Sequence, residues 1–195
     1  MSFKLTAKSN LDLTGEKVYL KVLDKKYADE YLKLTCDMDS DSRLFTGTHT
    51  FFNVTQIENY LEDISTDNSR IDFLIFDKES TDIVGEVVLN DINRKDRRCN
   101  LRIGIFNKNN FSKGYGTEAI ILALNYGFGM FNLHKIYLDV LNFNDRGVHV
   151  YEKIGFIKEG VLREDIYFNH RYYDVIMMSI LENEFKERYL SLDNK

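Results

Sequence analysis

The sequence NFSKGYGTEA at positions 110–119 places two glycines directly before a stretch with helical periodicity. Its Gly114-x-Gly116-x-x-Ala119 spacing fits the pattern G-x-G-x-x-G/A. Glycines before a helix leave backbone N–H groups and the positive end of the helix dipole available to an anion. The stretch therefore predicts a phosphate-binding loop, with an ordinary helix-capping turn as the competing interpretation. Phosphates occur on NAD, on ATP and on coenzyme A, so the surrounding sequence has to distinguish them.

An NAD site is the first alternative, because Asp139 lies 23 residues after Gly116, near the spacing of an acid that binds a ribose hydroxyl. Against it, the polar segment NKNNFSK separates Phe106 from Gly114, and the preceding strands form a predicted meander. The ATP-binding pattern G-x-x-x-x-G-K-[ST] is absent from the sequence. A pyrophosphate held by the amides of 112–116 fits better, and Lys113 and Thr117 would add a charge and a hydroxyl.

Hydrophobic periodicity predicts the element order β-α-α-β-β-β-α-β-α-β-β in one domain spanning 1–195, with a core from about 15 to 181 and a polar tail. No linker, repeat or proline interrupts the chain. The predicted strands cover 17–23, 72–77, 82–91, 98–106, 135–141, 156–165 and 172–181. The first predicted helix begins at Asp24 and has an apolar stripe of Tyr27, Tyr31, Leu34 and Met38. The second begins near Asn53, with Gln56 as its capping-box partner. A third helix follows the glycine stretch, and a fourth spans 144–154.

The composition indicates a globular protein, with 44% hydrophobic and 29% charged residues. The net charge of −5 argues against a general nucleic-acid binder and is compatible with cationic partners such as amines. Neither a signal peptide nor a membrane span is evident, so we expect a cytoplasmic protein without membrane contact. Cys36 and Cys99 are interpreted as buried thiols, and the scattered histidines indicate no metal site.

Four segments together resemble the GNAT superfamily (GCN5-related N-acetyltransferases), most closely its ribosomal-protein and spermidine N-acetyltransferase branches. They are IVGEVVL at 83–89, FSKGYGTEAI at 111–120, LNFNDRGVHVYEKIGF at 141–156 and EGVLREDIYFNHRYYDVIMMSIL at 159–181. The resemblance implies an α/β (mixed α+β) fold: a mostly antiparallel seven-stranded sheet, splayed in the middle, with acetyl-CoA in the opening.

The resemblance also implies roles for particular residues. The cosubstrate would be acetyl-CoA, and Tyr151 would protonate the departing thiolate. The amides of five residues would bind the CoA pyrophosphate: Ser112, Lys113, Gly114, Tyr115 and Gly116. Four further positions would contact the rest of CoA, through the backbone of Ile103, Gly104 and Ile105 along the pantetheine arm and through Asn144.

The general base is the open question, because near relatives often carry a glutamate where this chain has Asn100. Asparagine cannot take a proton. Glu86 and Asp91, on the third predicted strand, are the candidates, and a chain of water molecules is the alternative. The acidic residues Asp37, Asp39 and Asp41 are interpreted first as a solvated loop and second as a surface that attracts a cationic amine.

The sequence therefore predicts an enzyme that moves an acetyl group from acetyl-CoA to a primary amine. The segments KGYGTEA and EGVLRED favour a protein N-terminal amine, as in the ribosomal-protein branch. The acidic run favours a polyamine such as spermidine or spermine. An aminoglycoside acceptor and a non-catalytic CoA-binding module remain alternatives, and a homodimer is a possible assembly.

Overall fold

A computed structural model of the chain describes residues 13–46 and 52–190, with seven strands and six α-helices among them. The strands are β1 (Val18–Val22), β2 (Ile71–Asp77), β3 (Ile83–Asn93), β4 (Arg98–Ile105), β5 (Lys135–Leu141), β6 (Ile157–Phe168) and β7 (Arg171–Leu181). The helices are α1 (Ala28–Cys36), α2 (Ser40–Thr46), α3 (Val54–Thr66), α4 (Tyr115–Met130), α5 (Asp145–Ile154) and α6 (Glu182–Tyr189). None of the described helices is long and apolar enough to cross a membrane.

The seven strands form one sheet in the order β1-β2-β3-β4-β5-β7-β6. The pairs β1–β2, β2–β3, β5–β7 and β6–β7 are antiparallel, whereas β4 and β5 are parallel. The fold expected from the resemblance, a mixed and mostly antiparallel seven-stranded sheet, is confirmed. The sequence missed α2 and α6, which add two helices to the predicted order.

Contacts among the described residues group the chain into two compact units. The N-terminal unit comprises residues 13–92 and 102–123, without the undescribed 47–51, and the C-terminal unit comprises 93–101 and 124–190. Both β4 and α4 contribute residues to each unit, so neither unit is one continuous segment. The predicted single domain over 1–195 stays a prediction.

The N-terminal unit buries one hydrophobic cluster between α1, α3 and its strands. Its buried members are Leu23, Tyr31, Met38, Ile57, Leu61, Leu74, Phe76, Ile83 and Phe106. The predicted capping box at the start of α3 is confirmed, because Asn53 and Gln56 exchange two hydrogen bonds of 2.9 Å. Asp24 caps the turn before α1, accepting a hydrogen bond from the Lys26 amide.

In the C-terminal unit, α6 packs where the sequence predicted only a polar tail. Phe185 and Tyr189 are buried, and the Phe185 ring lies 5.3 Å from that of Phe128. The Tyr189 hydroxyl donates a hydrogen bond of 2.9 Å to the carbonyl of Ile154. Two aromatic residues four positions apart occupy one face of this otherwise polar helix. They dock onto a hydrophobic surface that the tail sequence itself does not reveal.

One of the two cysteine predictions is wrong. Cys99 is buried, but Cys36 is exposed at the end of α1. Tyr31 and Thr35 are the buried residues of that helix, so the face that packs excludes Cys36. The sequence correctly predicted this helix and its apolar stripe. It did not show that Cys36, in the last turn, lies on the exposed side of the helix.

Candidate active site

The loop before α4 has the backbone shape of an anion site. β4 ends at Ile105, a single turn covers Lys108–Asn110, and α4 begins at Tyr115. Between them, Ser112 and Gly114 have positive φ angles of 61° and 91°. Left-handed residues alternating with others turn successive N–H groups toward one concave side, which favours a bound anion. The predicted phosphate loop thus lies at the start of a sixteen-residue helix.

Two lysines bring positive charge to this loop. The Nζ of Lys17 donates a hydrogen bond of 2.7 Å to the carbonyl of Lys113, although the two residues are 96 positions apart. Lys113 itself donates to Oδ1 of Asn110 at 3.0 Å, and its Nζ lies 5.7 Å from the centre of the Tyr115 ring. The sequence indicated Lys113 at this loop, whereas no local pattern indicated Lys17.

Two side chains in the first turns of α4 bind other parts of the protein and are not available to a ligand. The Glu118 carboxylate accepts hydrogen bonds of 2.7, 2.7 and 2.8 Å from the amides of Glu16, Lys17 and Val18. The Tyr115 hydroxyl donates to Asp77, which raises the pKa of Tyr115 to about 12 and lowers that of Asp77. Both side chains have structural partners, so only the backbone amide of Tyr115 is available for the predicted phosphate contact.

The glycines of this unit have different roles. A Cβ on Gly85 would lie 2.2 Å from the carbonyl oxygen of Gly104, so glycine is needed for the close approach of β3 to β4. A Cβ on Gly116 would meet Ile103 at 3.6 Å and Ile105 at 3.9 Å, an ordinary contact. Packing therefore does not require glycine at 116, which is consistent with space left for a ligand.

Glu86, one of the predicted bases, lies in a protected position on β3. The Tyr31 hydroxyl donates a hydrogen bond of 2.7 Å to its Oε2, and Arg102 lies 3.6 Å from its Oε1. Only 12% of the Glu86 side chain is exposed, against 58% for Arg102. Burial raises the pKa of Glu86, while the hydrogen bond from Tyr31 and the charge of Arg102 partly oppose that rise.

A second polar group, which the sequence did not reveal, lies beside Glu86. Asp72 is buried and accepts a hydrogen bond of 2.6 Å from the Tyr60 hydroxyl. Arg70 binds Asp72 through two nitrogens at 2.8 and 2.7 Å. The Tyr31 and Tyr60 rings stack at 6.3 Å. Because Leu74 pairs with Glu86 and Asp72 with Val88 in the β2–β3 register, both acids lie on one face of the sheet.

Where the structure describes them, the other acidic residues that the sequence indicated are either exposed or bound to neighbouring groups. Asp91 is exposed, has a φ of 53°, and accepts a hydrogen bond of 3.1 Å from Asn90. Asp37 is exposed at the end of α1. Asp39 accepts hydrogen bonds from the Ser42 amide and hydroxyl, both at 3.0 Å, which supports its interpretation as a loop residue. The side chain of Asp41 lies outside the described part of the chain.

The C-terminal unit holds Tyr151 and Asn144 on α5. Asn144 is the N-cap, accepting a hydrogen bond of 2.9 Å from the Gly147 amide, and Gly155 ends the helix with a φ of 118°. Tyr151 is partly buried, its ring 5.9 Å from that of Phe156, and its hydroxyl has no hydrogen-bond partner among the described residues. Burial raises its pKa to about 12, so the hydroxyl keeps its proton near neutral pH.

Comparison with known proteins identifies the family. A model described as acetyltransferase (GNAT) domain matches residues 17–157. The chain belongs to this family. It is 38% identical over 122 residues to the spermidine N(1)-acetyltransferase of Vibrio cholerae, covering 63% of this chain and 69% of that protein. It is 38% identical over 101 residues to the Escherichia coli K12 enzyme of the same name, of which it spans about half, 54%.

A solved structure shows the same architecture. The crystal structure of the Vibrio cholerae spermidine N-acetyltransferase in complex with CoA and spermine matches with a TM-score of 0.80 and 29% identity. The match covers 88% of this chain and 99% of that one. The chain is therefore a GNAT acetyltransferase that uses acetyl-CoA as cosubstrate to acetylate an amine. The relatives support the polyamine alternative better than the favoured protein N-terminal amine.

Proposed function

We propose that the protein transfers the acetyl group of acetyl-CoA to a primary amine of a polyamine, spermidine or spermine. The observation that carries this proposal is the structural similarity to an acetyltransferase crystallised with CoA and spermine. The match covers 88% of this chain and 99% of that one. The proposal replaces the protein N-terminal amine that the segments KGYGTEA and EGVLRED favoured. The first of those segments covers the predicted CoA loop and the start of α4, and the second lies in β6.

The surroundings of Glu86 support a cationic acceptor. A mostly buried carboxylate attracts an ammonium group more strongly than an exposed one, because less water screens the charges. The ring of Tyr60, which stacks on the buried Tyr31 and is itself partly exposed, offers apolar surface for the methylene segments between the amines of a polyamine. Glu86 would hold a charged amine or accept its proton. Asp91 has no comparable protection, and it stays a prediction from the sequence.

The proposed chemistry needs three events. The acceptor ammonium loses a proton to a base, and its nitrogen attacks the thioester carbonyl carbon, forming a C–N bond. A backbone N–H would stabilise the negative oxygen, and that of Ile105, at the end of β4, is the candidate. The C–S bond then breaks, and Tyr151 gives its proton to the departing thiolate before regaining one from solvent. Amides at 112–116, the backbone of 103–105 and Asn144 would hold CoA during these steps.

Release of CoA thiol tests the acceptor. Purified protein with acetyl-CoA is given spermidine, spermine, a peptide with a free N-terminal amine, or an aminoglycoside. We expect kcat/KM for a polyamine to exceed that for the peptide by at least about a hundredfold, which corresponds to about 2.7 kcal/mol. A preference for the peptide would restore the N-terminal acceptor. Tight CoA binding without turnover on any amine would indicate a non-catalytic module.

Three expectations stay predictions. Two of them are the homodimer and the cytoplasmic location. The third is the attraction of a polyamine by the acidic run at 37–41, in which Asp39 also accepts hydrogen bonds from Ser42 and from the Lys108 amide.

A further inference from the structure

The parallel ladder between β4 and β5 is short. It joins Arg98 to Lys135, Cys99 to Ile136 and Asn100 to Tyr137, and it ends there, although β4 continues to Ile105 and β5 to Leu141. The opposite edge of β5 is fully used, because it pairs with β7 over its whole length. Beyond Tyr137, the backbone groups of β5 that point away from β7 need other partners. An extended ligand with amide groups can pair with such an edge.

Asp139 lies two residues beyond this last pair. Side chains alternate along a strand, so Asp139 projects from the same face as Tyr137 and its partner Asn100. The Nδ2 of Asn100 donates a hydrogen bond of 3.4 Å to Oδ2 of Asp139. Asn100 is buried, with 8% of its surface exposed, whereas Asp139 is exposed. The buried side-chain amide of Asn100 therefore binds the solvent-accessible carboxylate of Asp139, close to the end of the β4–β5 ladder.

The charges around Asp139 leave it without a cation. Its β7 register partner, Met177, is uncharged, and the charged group that acts on it electrostatically is another carboxylate, Asp165 in β6. Within residues 13–46 and 52–190, no lysine, arginine or histidine forms an ion pair with Asp139. Asp139 is exposed at its surface side, but its carboxyl group is partly desolvated by the neighbouring strands. This partial desolvation and the charge of Asp165 raise the pKa of Asp139, and the hydrogen bond from Asn100 lowers it in part.

We propose that Asp139 is the general base of this acetyltransferase and that Asn100 is a positioning residue that holds its carboxylate. Asp139 takes one proton from the acceptor ammonium, the freed nitrogen lone pair forms the C–N bond, and the C–S electrons leave with the thiolate. Asn100 cannot take a proton, but it places a neighbouring group that can. The inference rests on the acetyl transfer of the proposed function and does not depend on which amine is acetylated.

The first test compares pH–rate profiles for Asp139→Asn and Glu86→Gln, with spermidine as acceptor. We expect Asp139→Asn to lower kcat/KM by about 10²–10⁴ and to remove the acidic inflection. Its affinity for CoA should change less than about threefold. Glu86→Gln should keep the inflection, even where its KM for spermidine rises. Loss of the inflection in Glu86→Gln and its retention in Asp139→Asn would overturn the proposal and make Glu86 the base.

Two further variants test the positions of the charges. Asp165→Asn removes the repulsion that raises the pKa of Asp139, so the acidic inflection should move to lower pH. Asn100→Ala removes the hydrogen bond that favours the ionised form, so the inflection should move to higher pH while kcat falls. A purely structural role for Asn100 would lower stability without moving the inflection, and that result would contradict its positioning role.

The double variant Asn100→Asp with Asp139→Asn exchanges the two side chains and moves the carboxylate across the pair. Its kcat/KM should be at least about tenfold higher than that of Asp139→Asn alone. An equal kcat/KM would contradict the proposal that this pair of residues supplies the base. If the wild-type protein fails to acetylate spermidine, the polyamine proposal fails, and the same profiles are measured with the acceptor identified by thiol release. The assignment of Asp139 is then judged by those profiles alone.

Discussion

Tyr31 and Glu86, on α1 and β3, are joined by a hydrogen bond of 2.7 Å from the tyrosine hydroxyl to Oε2 of the carboxylate. Burial raises the pKa of both groups, and each carries a proton more readily than it would in water. Because the two residues are 55 positions apart, the bond also ties the helix to the sheet. The pair therefore links the stability of this unit to pH.

The pH dependence of stability tests the setting of Glu86. A carboxyl whose pKa is raised on folding stabilises the fold below its ordinary pKa, about 4.3, and loses that contribution as pH rises through its folded pKa. Glu86→Gln removes the titration, so its stability relative to wild type should improve as pH rises through this window. Urea unfolding at a series of pH values measures the difference. A difference that stays constant with pH would contradict the raised pKa.

Substitution of Gly114 tests the phosphate loop. Gly114→Val forces a branched side chain into a φ of 91°, and a Cβ there would lie 3.2 Å from Nζ of Lys17. We expect the affinity for CoA, measured by calorimetry, to fall at least tenfold, or about 1.4 kcal/mol. Gly129→Ala is the matched control, since it lies in α4 and its added Cβ would meet nothing within 4 Å beyond the adjoining backbone, and it should bind CoA normally. If the folded Gly114→Val variant binds CoA as tightly as the wild type, this loop is not the phosphate-binding loop.

Tyr151→Phe tests the proton donor. The hydroxyl has no hydrogen-bond partner among the described residues, and its raised pKa of about 12 keeps it protonated at neutral pH. We expect kcat to fall by about 10²–10⁴, with the dissociation constant of CoA changing less than about threefold and stability nearly unchanged. Equal losses of rate and CoA affinity would mean that the hydroxyl binds the cosubstrate. Normal turnover would leave protonation of the thiolate to water.

Phe185→Ala tests whether α6 is part of the folded C-terminal unit. Phe185 is 1% exposed and packs against the rings of Phe128 and Tyr189. Truncation of a buried phenylalanine to alanine costs about 3–5 kcal/mol, so the midpoint of urea unfolding should fall clearly. Lys186→Ala, on the same helix, serves as control and should change stability by less than about 1 kcal/mol. A small effect of Phe185→Ala would mean that α6 is not required by the core.

Local chemistry explains what could be predicted from the sequence. The capping box of Asn53 and Gln56, the end of α5 at Gly155 and the loop before α4 all depend on residues within a few positions of one another. The strands were found for the same reason, since alternation of apolar residues is a property of each segment alone. The motifs in their order then indicated the GNAT family, and the family model over residues 17–157 confirms it.

Only the tertiary structure decided which polar groups meet. Lys17 reaches the loop at Lys113 across 96 positions, and Asn100 reaches Asp139 across 39. These contacts depend on strand register and on helix docking, which bring together residues whose spacing in the chain carries no period. The same reason applies to α6, whose aromatic pair indicates a packing face only once the surface beneath it has formed. The sequence by itself determined the fold and the reaction class, and the packing of the sheet determined which carboxylates are candidates for the proton transfer.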